Sequence, residues 1–283
     1  MIDFRADLHC HTTCSDGTVS PENIIRLAID KNLQGLSITD HDTIEAYPTA
    51  MLEAEKANLS LISGVEFSAV HERASVHILA YSFPLNSDLI KEFCIKHIRG
   101  RENRNTQILS LLNSHGMLIS EEDIRFHTDT LKHTIGRPHI AQAMMKKGYV
   151  STVQEAFNKF IGDGKSCYAS GGYFSVDETL DLIHRAKGLA VIAHPHLIEK
   201  SHTVDELLKM NFDGIEAYYA KFPLQQNERW IKIGMKKNWI ITGGSDFHGD
   251  IKPQLSLGHS WVRQETFKIL ADHFRENQTA PDE

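Results

Sequence analysis

The chain has 283 residues, a formal net charge of −7, 41% hydrophobic residues and 24% charged residues. This length allows one large α/β domain or two modest domains with a substantial core. The negative charge argues against non-specific coating of nucleic acid, which needs a basic surface, but it leaves room for a local positive pocket that binds one phosphate. Because Asp3, Arg5 and Asp7 interrupt any apolar run, we expect no signal peptide, no membrane segment and a cytoplasmic location.

Cysteine and histidine usage narrows the class of protein further. Cys10, Cys14, Cys94 and Cys167 form no C-x-x-C pair, so we expect reduced thiols, with small inert core residues as their simplest role. The 17 histidines outnumber the 13 phenylalanines although the chain has no histidine tract. Dispersed histidine beside acidic residues is typical of metal sites.

The first part of the chain is predicted to alternate strands with helices. Residues 4–11 form a predicted strand, and Ser20 caps a helix whose first residue is Pro21. Residues 35–39 form a second strand, and Thr43 is expected to cap a helix that ends near Ala57. Such alternation implies a parallel sheet. Two further apolar runs follow at residues 59–70 and 75–83.

The middle of the chain is predicted to be mostly helical. Helices are expected at residues 88–113, 121–126, 137–147 and 152–161. Because this region interrupts the alternation, we expect an inserted helical subdomain at residues 99–168, between a first barrel part at 1–98 and a second at 169–283.

The alternation resumes after the predicted insertion. Ser175 should cap a helix, and the later elements are strands at 189–194, 214–217 and 239–242 with helices at 204–210, 223–237 and 264–276. The tail 277–283 is expected to fray. Six or seven strands alternating with helices fit a closed or nearly closed (β/α) barrel, with a doubly wound open sheet as the alternative. The chain has no G-x-G-x-x-G turn or P-loop, which favours the barrel.

The histidines and acids at the predicted strand ends are candidate metal ligands. His9 and His11 share one face of a strand because side chains alternate, while Cys10 points to the other face. A single His-x-His is more typical of an ordinary buried strand, but here the pattern recurs along the chain. The candidate ligands are His9, His11, Asp16, His41, Glu66, His77, His194, Asp246 and His248.

These six imidazoles and three carboxylates exceed the needs of one tetrahedral ion, so we expect two or three divalent ions. Imidazole combined with carboxylate favours Mn²⁺, Fe²⁺ or Zn²⁺ over Ca²⁺ or Mg²⁺. Clustered ions of this kind activate water and stabilise displacement at phosphorus. The pattern therefore favours a hydrolase in which metal-activated water attacks a phosphate ester.

The motifs resemble those of a known family. They are Asp7-Leu8-His9-Cys10-His11 with Ser15-Asp16-Gly17, Thr39-Asp40-His41-Asp42, Gly64-Val65-Glu66, Ala193-His194-Pro195 and Gly244-Ser245-Asp246-Phe247-His248. In order and over nearly the whole chain, they resemble the PHP (polymerase and histidinol phosphatase) superfamily. The resemblance implies a distorted (β/α)7 barrel that holds up to three metal ions and hydrolyses phosphate esters.

The resemblance also implies how the ligands are shared. One ion would be held by His9, His11, Glu66 and Asp246, a second by Glu66, His77 and His194, and a third by Asp16, His41 and His248. Glu66 would bridge two ions, and Glu66, His194, Asp246 and His248 are the expected catalytic residues. Many relatives have histidine where this chain has Asp16. The carboxylate of Asp16 is a harder ligand than imidazole, in the sense of hard and soft Lewis bases, and so makes the third site harder.

The helical insertion and Ile135-Gly136-Arg137-Pro138-His139 resemble small stand-alone members of the family that act on nucleotides. This resemblance implies a nucleoside 3′,5′-bisphosphate phosphatase, a 5′–3′ exonuclease acting on short RNA, or both. The alternatives are a histidinol phosphatase and a non-catalytic, metal-stabilised binding module. The expected partner is a small phosphorylated substrate, and no stable protein partner is implied.

Several cationic side chains are candidates for binding that substrate. Arg137 opens a helix and could hold phosphate, although it could also be a surface arginine. Lys165, His139 and His196 are further candidates, with a solvated loop lysine and structural histidines as their simpler interpretations. Arg99, Arg101 and Arg104 are most simply a solvated helix face, with steering of polyanions as the functional alternative.

Overall fold

The computed structural model describes residues 3–72, 74–125, 135–170 and 174–278, and it shows a mixed α/β fold with two sheets. The first sheet is parallel and has the order β1 (Ala6–Asp7), β2 (Gly35–Ser37), β3 (Ser60–Ile62). Helices α1 (Pro21–Asp30) and α2 (Tyr47–Ala57) connect these strands. The strand at β1 is shorter than the predicted 4–11.

The second sheet contains β4 (Gly64–His71), β5 (Ala74–Tyr81), β6 (Phe174–Ser175), β7 (Leu189–Ile192), β8 (Gly214–Tyr219) and β9 (Ile240–Gly244). Its strand order is β6-β4-β5-β7-β8-β9. β5 runs antiparallel to both β4 and β7, whereas the other pairs are parallel. The parallel sheet expected from the alternation of strands and helices is confirmed in the first sheet. In the second sheet β5 is antiparallel, because the link from β4 to β5 is too short for a crossover.

Backbone hydrogen bonds join the two sheets. Beyond β1 and β9, Asp246 N donates to His9 O over 2.8 Å and His11 N donates to Phe247 O over 2.9 Å. Between β2 and β4, Asp42 N donates to Glu66 O over 3.0 Å. The described residues form no closed barrel, so the predicted distorted (β/α)7 barrel is not confirmed. Each strand of the first sheet is only two or three residues long. These strands pair with one another, and their contacts with other segments are isolated bridges.

The predicted helices in the middle of the chain are present as α3 (Asp88–Ser114), α4 (Glu121–Arg125), α5 (Arg137–Lys146) and α6 (Val153–Ala156), followed by a π-helical turn at Phe157–Ile161. Residue 126, which was assigned to the second of these helices, lies outside the described residues. A separate apolar cluster extends from Ile108 to Ala169 within this region. The cluster is compatible with an insertion at 99–168, whose boundaries remain a prediction.

The remaining helices are α7 (Val176–Arg185), α8 (Ser201–Leu207), α9 (Leu224–Lys237) and α10 (Gln264–Gln278). Ser20 and Ser175 cap α1 and α7 as predicted, each accepting a hydrogen bond from the backbone three residues on. Thr43 does not cap α2, because its hydroxyl accepts from Glu45 N in a turn that precedes the helix. Of the tail expected to fray, α10 includes residues 277 and 278, and residues 279–283 lie outside the described part.

All four cysteines are buried and form no disulfide, in agreement with the expectation of small core residues. Within the described residues, no helix has both the length and the apolar character needed to cross a membrane.

Candidate metal centre

The predicted metal ligands come together where strands of the two sheets end side by side. His9 and His11 follow β1, His41 follows β2, His194 follows β7, and Asp246 and His248 follow β9. Glu66 lies within β4 and His77 within β5, where His77 pairs with Ser68 and so shares a face with Glu66. The side chains of His9 and His11 lie together, and Cys10 instead joins an apolar cluster with α1 and α2, as predicted.

The first cluster consists of His9, His11, Glu66 and Asp246, whose ligand atoms all lie within 4.8 Å of one another. Glu66 Oε2 lies 3.1 Å from His9 Nε2 and 3.2 Å from His11 Nε2. All four side chains are buried. This cluster has the four members that were expected to share one ion.

Two further groups of ligands surround the first. The second group consists of His41, Glu66 and His77, with Glu66 Oε1 2.7 Å from His77 Nδ1. His194 lies beside this group, with its Nε2 2.8 Å from Glu66 Oε1. The third group contains Asp16 and His248, whose Oδ1 and Nε2 atoms are 3.3 Å apart, together with His11 and His41. His11 and His41 thus each belong to two groups, an overlap that the sequence did not indicate.

The chemistry of these groups fits divalent metal ions. Both ring nitrogens of His11 and Nδ1 of His41 are buried and make no hydrogen bond with the residues described, although carboxylate oxygens lie close to each ring. Burial acts to raise the pKa of Glu66, but the imidazoles around it, first His41 and His77, hold that pKa well below its usual range. Ionised carboxylates packed against unsatisfied imidazoles are a suitable ligand set for ions such as Mn²⁺, Fe²⁺ or Zn²⁺.

Glu216 in β8 supports two of the ligands and was not identified from the sequence. Its Oε1 lies 2.9 Å from His9 Nδ1, and its Oε2 accepts a hydrogen bond of 2.7 Å from His194 N. A carboxylate behind a ligating imidazole fixes the orientation of the ring. The available signal was a single acid inside the apolar strand Gly214–Tyr219.

Other supporting contacts hold the acidic ligands. Asp246 Oδ2 accepts from Tyr219 Oη over 2.7 Å and from Lys252 Nζ over 2.6 Å, which leaves Oδ1 directed at the imidazoles. Asp40 accepts hydrogen bonds from Thr12 and Ser15 and so fixes the loop that presents Asp16. His194 and Asp246 have positive φ values of 23° and 53°, a backbone region that residues with side chains adopt uncommonly.

A cavity of about 750 Å³ lies over the second and third groups of ligands. Its cationic lining includes Arg101, Arg104, Arg137, Lys221 and Lys252, and its apolar lining includes Met145, Val153, Phe157 and Leu197. The volume is within the usual range of small-molecule sites.

The expectation that Arg101 and Arg104 form a solvated helix face was wrong. They are only 6% and 3% exposed, whereas Arg99 is exposed as expected. The reason is that this side of α3 packs against β4 and the start of α5, where Arg101 donates to Ser68 and Asn105 donates to Ile135 O.

Arg137 begins α5 and lines the same cavity. Its Nη1 donates to Asp163 Oδ1 over 2.6 Å, and its guanidinium lies 5.6 Å from the centre of the Phe157 ring. A Cβ atom on the preceding Gly136 would be 3.9 Å from Asp16 Oδ2, so the start of α5 lies beside the third group of ligands.

The other three predicted substrate contacts are placed differently. His139 is buried, and its Nδ1 accepts from Gly136 N over 3.0 Å. Lys165 is exposed on a loop, and His196 packs against the rings of Tyr219 and Phe222. Burial lowers the pKa of His196 to about 4, so this ring is neutral near pH 7. The described residues that line the cavity do not include these three.

Buried imidazole and carboxylate clusters beneath a cation-lined cavity define a metal-dependent enzyme that acts on anionic substrates. The PHP domain family matches residues 7–221. The chain therefore belongs to the PHP domain family, and it is a metal-dependent phosphoesterase, a hydrolase acting on phosphate esters.

Similar proteins match along most of their length. The chain is 28% identical over 265 residues to the 5′–3′ exoribonuclease Rnm of Salmonella typhimurium, covering 90% of this chain and 89% of that protein. It is 28% identical over 261 residues to the 3′,5′-nucleoside bisphosphate phosphatase of Chromobacterium violaceum, covering 90% of each. A solved structure from Bifidobacterium adolescentis, described as a metal-dependent phosphoesterase, has 29% identity and a TM-score of 0.86 over 95% of this chain and 96% of that one.

Proposed function

We propose that this enzyme hydrolyses phosphate esters of nucleotides, as a 3′-phosphatase on nucleoside 3′,5′-bisphosphates, a 5′–3′ exonuclease on short oligoribonucleotides, or both. The observation that carries this proposal is the composition of one cavity, in which metal-ligand clusters, arginines and apolar side chains meet. A nucleotide offers the matching parts, namely a reacting phosphate, further negative charge and an apolar base. The relatives named above have the same two activities in their names.

We assign two or three ions of Mn²⁺, Fe²⁺ or Zn²⁺ to the ligand groups. His9, His11, Glu66 and Asp246 would hold one ion, Glu66, His77 and His194 a second, and Asp16, His41 and His248 a third, with His11 and His41 placed to contribute to a neighbouring ion. When bound, such ions supply positive charge to phosphate oxygens and acidify water. Glu66, His194, Asp246 and His248 are the residues to which we assign the catalytic role.

The protein side chains would orient the substrate over these clusters. Arg137 is positioned to bind a second phosphate, because a guanidinium at the start of a helix combines a bidentate donor with the helix N-terminus. Arg101 and Arg104 add positive charge to the same wall of the cavity. Because these cationic side chains are already in place, little reorganisation of the protein is needed when negative charge increases on the phosphate in the transition state.

The apolar side of the cavity suits the nucleoside part of the substrate. Leu197 and Met145 are 40% and 37% exposed, which is high for large apolar side chains, and both line the cavity. Phe157 adds an aromatic ring on the wall formed by residues 99–168, the region that we propose as the inserted subdomain. An apolar face beside fixed cations favours a flat base attached to phosphate.

The test is a set of phosphate esters assayed with added Mn²⁺. We expect turnover of a nucleoside 3′,5′-bisphosphate or a 5′-phosphorylated short oligoribonucleotide with a kcat/KM well above that for p-nitrophenyl phosphate. Product identification separates the two activities, since the first releases inorganic phosphate and the second releases mononucleotides. Preference for histidinol phosphate over every nucleotide would overturn the proposal in favour of the histidinol phosphatase alternative. The proposal includes a cytoplasmic location and no stable protein partner.

A further inference from the structure

Asp42 is a buried carboxylate that belongs to none of the three ligand groups. It follows His41 directly, is 0% exposed and has a φ of 56°, in the left-handed region. Its Oδ1 accepts from Ser68 N over 2.7 Å, and its Oδ2 accepts from Ser68 Oγ over 3.0 Å. A buried side chain held in a strained backbone conformation requires strong support from its surroundings.

Arg101 supplies the charged part of that support. Its Nε donates to Asp42 Oδ2 over 2.6 Å, its Nη2 lies 2.5 Å from the same oxygen, and Nη2 also donates to Ser68 Oγ over 2.9 Å. The three side chains are nearly excluded from water, and His97 Nδ1 lies 3.4 Å from Asp42 Oδ1 beside them. Charge-assisted hydrogen bonds in such surroundings fix geometry closely.

These contacts connect three elements that carry or adjoin metal ligands. Asp42 lies in the loop with His41, and its own N–H donates to Glu66 O over 3.0 Å. Ser68 lies in β4 two residues after Glu66, directly opposite His77 in β5. Arg101 lies in α3, at the start of the predicted insertion. The contacts of Asp42 with Glu66, Ser68 and Arg101 thus hold the loop that carries His41 against β4.

We propose that Asp42 and Arg101 form a positioning pair that sets the spacing of His41, Glu66 and His77 and thereby the metal affinity of that group. The pair also ties metal binding to the helices of the insertion, because Arg101 reaches the ligand loop from α3. The inference relies on metal binding at this group but not on the identity of the substrate.

The test is calorimetric titration of metal-free protein with Mn²⁺ for the wild type and Arg101→Met, Arg101→Lys, Ser68→Ala and Arg99→Met. Arg101→Met should weaken at least one binding event by roughly 10- to 100-fold, the usual cost of losing a group behind a metal ligand. Arg101→Lys should bind Mn²⁺ with an affinity between those of Arg101→Met and the wild type, because an ammonium group keeps the positive charge but cannot make both guanidinium contacts. Arg99→Met is the matched control, since Arg99 is exposed on the same helix, and its affinities should equal those of the wild type.

The outcomes separate a positioning role from direct substrate binding. If Arg101→Met binds every ion with wild-type affinity and only raises KM, Arg101 contacts the substrate and the proposal fails. If Arg101→Met does not fold, Ser68→Ala decides, because it removes one hydrogen bond to Asp42 and should weaken binding by about fivefold. Wild-type affinity for Mn²⁺ in Ser68→Ala would then refute the proposed positioning role of Asp42 and Arg101. The titration contains no substrate, so an error in the proposed nucleotide specificity would not change its result.

Discussion

Replacement of Glu66 by glutamine tests the centre of the site most directly. Glu66 Oε1 lies near His77 and His194, at 2.7 and 2.8 Å, and Oε2 lies near His9, His11 and His41, at 3.1, 3.2 and 3.3 Å. Each oxygen thus serves a different set of imidazoles. Glutamine keeps the size of the side chain but removes one of these oxygens and the negative charge.

The expected loss is larger than for a supporting residue. Removing a group behind a ligand typically costs roughly 10- to 100-fold in metal affinity or activity. Because Glu66→Gln disturbs two ligand groups at once, kcat/KM should fall by about 1,000-fold or more, equivalent to about 4 kcal/mol of transition-state stabilisation. The fold should persist, since glutamine can still hydrogen bond to neighbouring imidazoles in the metal-free protein.

The assay combines kcat/KM for a nucleoside bisphosphate with elemental analysis and thermal unfolding of the metal-free protein. Glu72→Gln is the control, because Glu72 is an exposed carboxylate beyond the end of the same strand. We expect unchanged turnover in Glu72→Gln and loss of both metal and turnover in Glu66→Gln. Wild-type metal content with near wild-type turnover in Glu66→Gln would show that this carboxylate does not join the ligand groups.

Three further predictions concern Arg137 in the cavity wall, the carboxylate of Glu216 and the metal content. Arg137→Ala should leave metal content unchanged and lower kcat/KM for a nucleoside bisphosphate by roughly 10- to 100-fold, as expected for one charge-assisted contact, with Arg185→Ala on an exposed helix face as control. A much smaller loss is expected with an aryl monophosphate, and equal losses would mean that Arg137 serves the reacting phosphate instead. Glu216→Gln should weaken metal binding by roughly 10- to 100-fold, because His9 loses the carboxylate that orients its ring. Glu228→Gln, at an exposed position, is the control and should bind metal as the wild type does. Equal affinities in the two variants would exclude this role of Glu216. Gently purified protein should contain two or three ions per chain, and chelation should abolish turnover and lower the unfolding temperature, with Mn²⁺ restoring both; full activity after complete chelation would refute the metal mechanism.

The ligand groups could be predicted from the sequence because the relevant signals are local. A histidine two residues from another on an extended chain lies on the same face whatever the rest of the protein does. Polar ligand types at the ends of apolar runs mark most of the strand ends where functional residues gather, although Glu66 and His77 lie inside β4 and β5. Eight of the nine predicted ligands lie in the observed groups, and the ninth, His194, lies beside them with its Nε2 2.8 Å from Glu66 Oε1.

The environment of the cationic side chains could not be predicted in this way. The helical period places Arg101 and Arg104 on the same side of α3 but does not say what packs against that side. Only the tertiary structure shows that β4 and the start of α5 cover these residues and that Asp42 is the partner of Arg101. The same holds for Glu216, whose role depends on His9, a residue 207 positions away in the chain.

The sequence by itself determined the element types, most helix limits, the metal-binding chemistry and the family resemblance, because these follow from periodicity, capping and residue type over short stretches. The tertiary structure decided the antiparallel placement of β5, the division into two sheets and the overlap of the ligand groups. Strand direction and pairing depend on connections and partners distant in sequence, which no local pattern encodes. A side chain such as His11 belongs to two groups because three strand ends converge on it, and that convergence exists only in the folded chain.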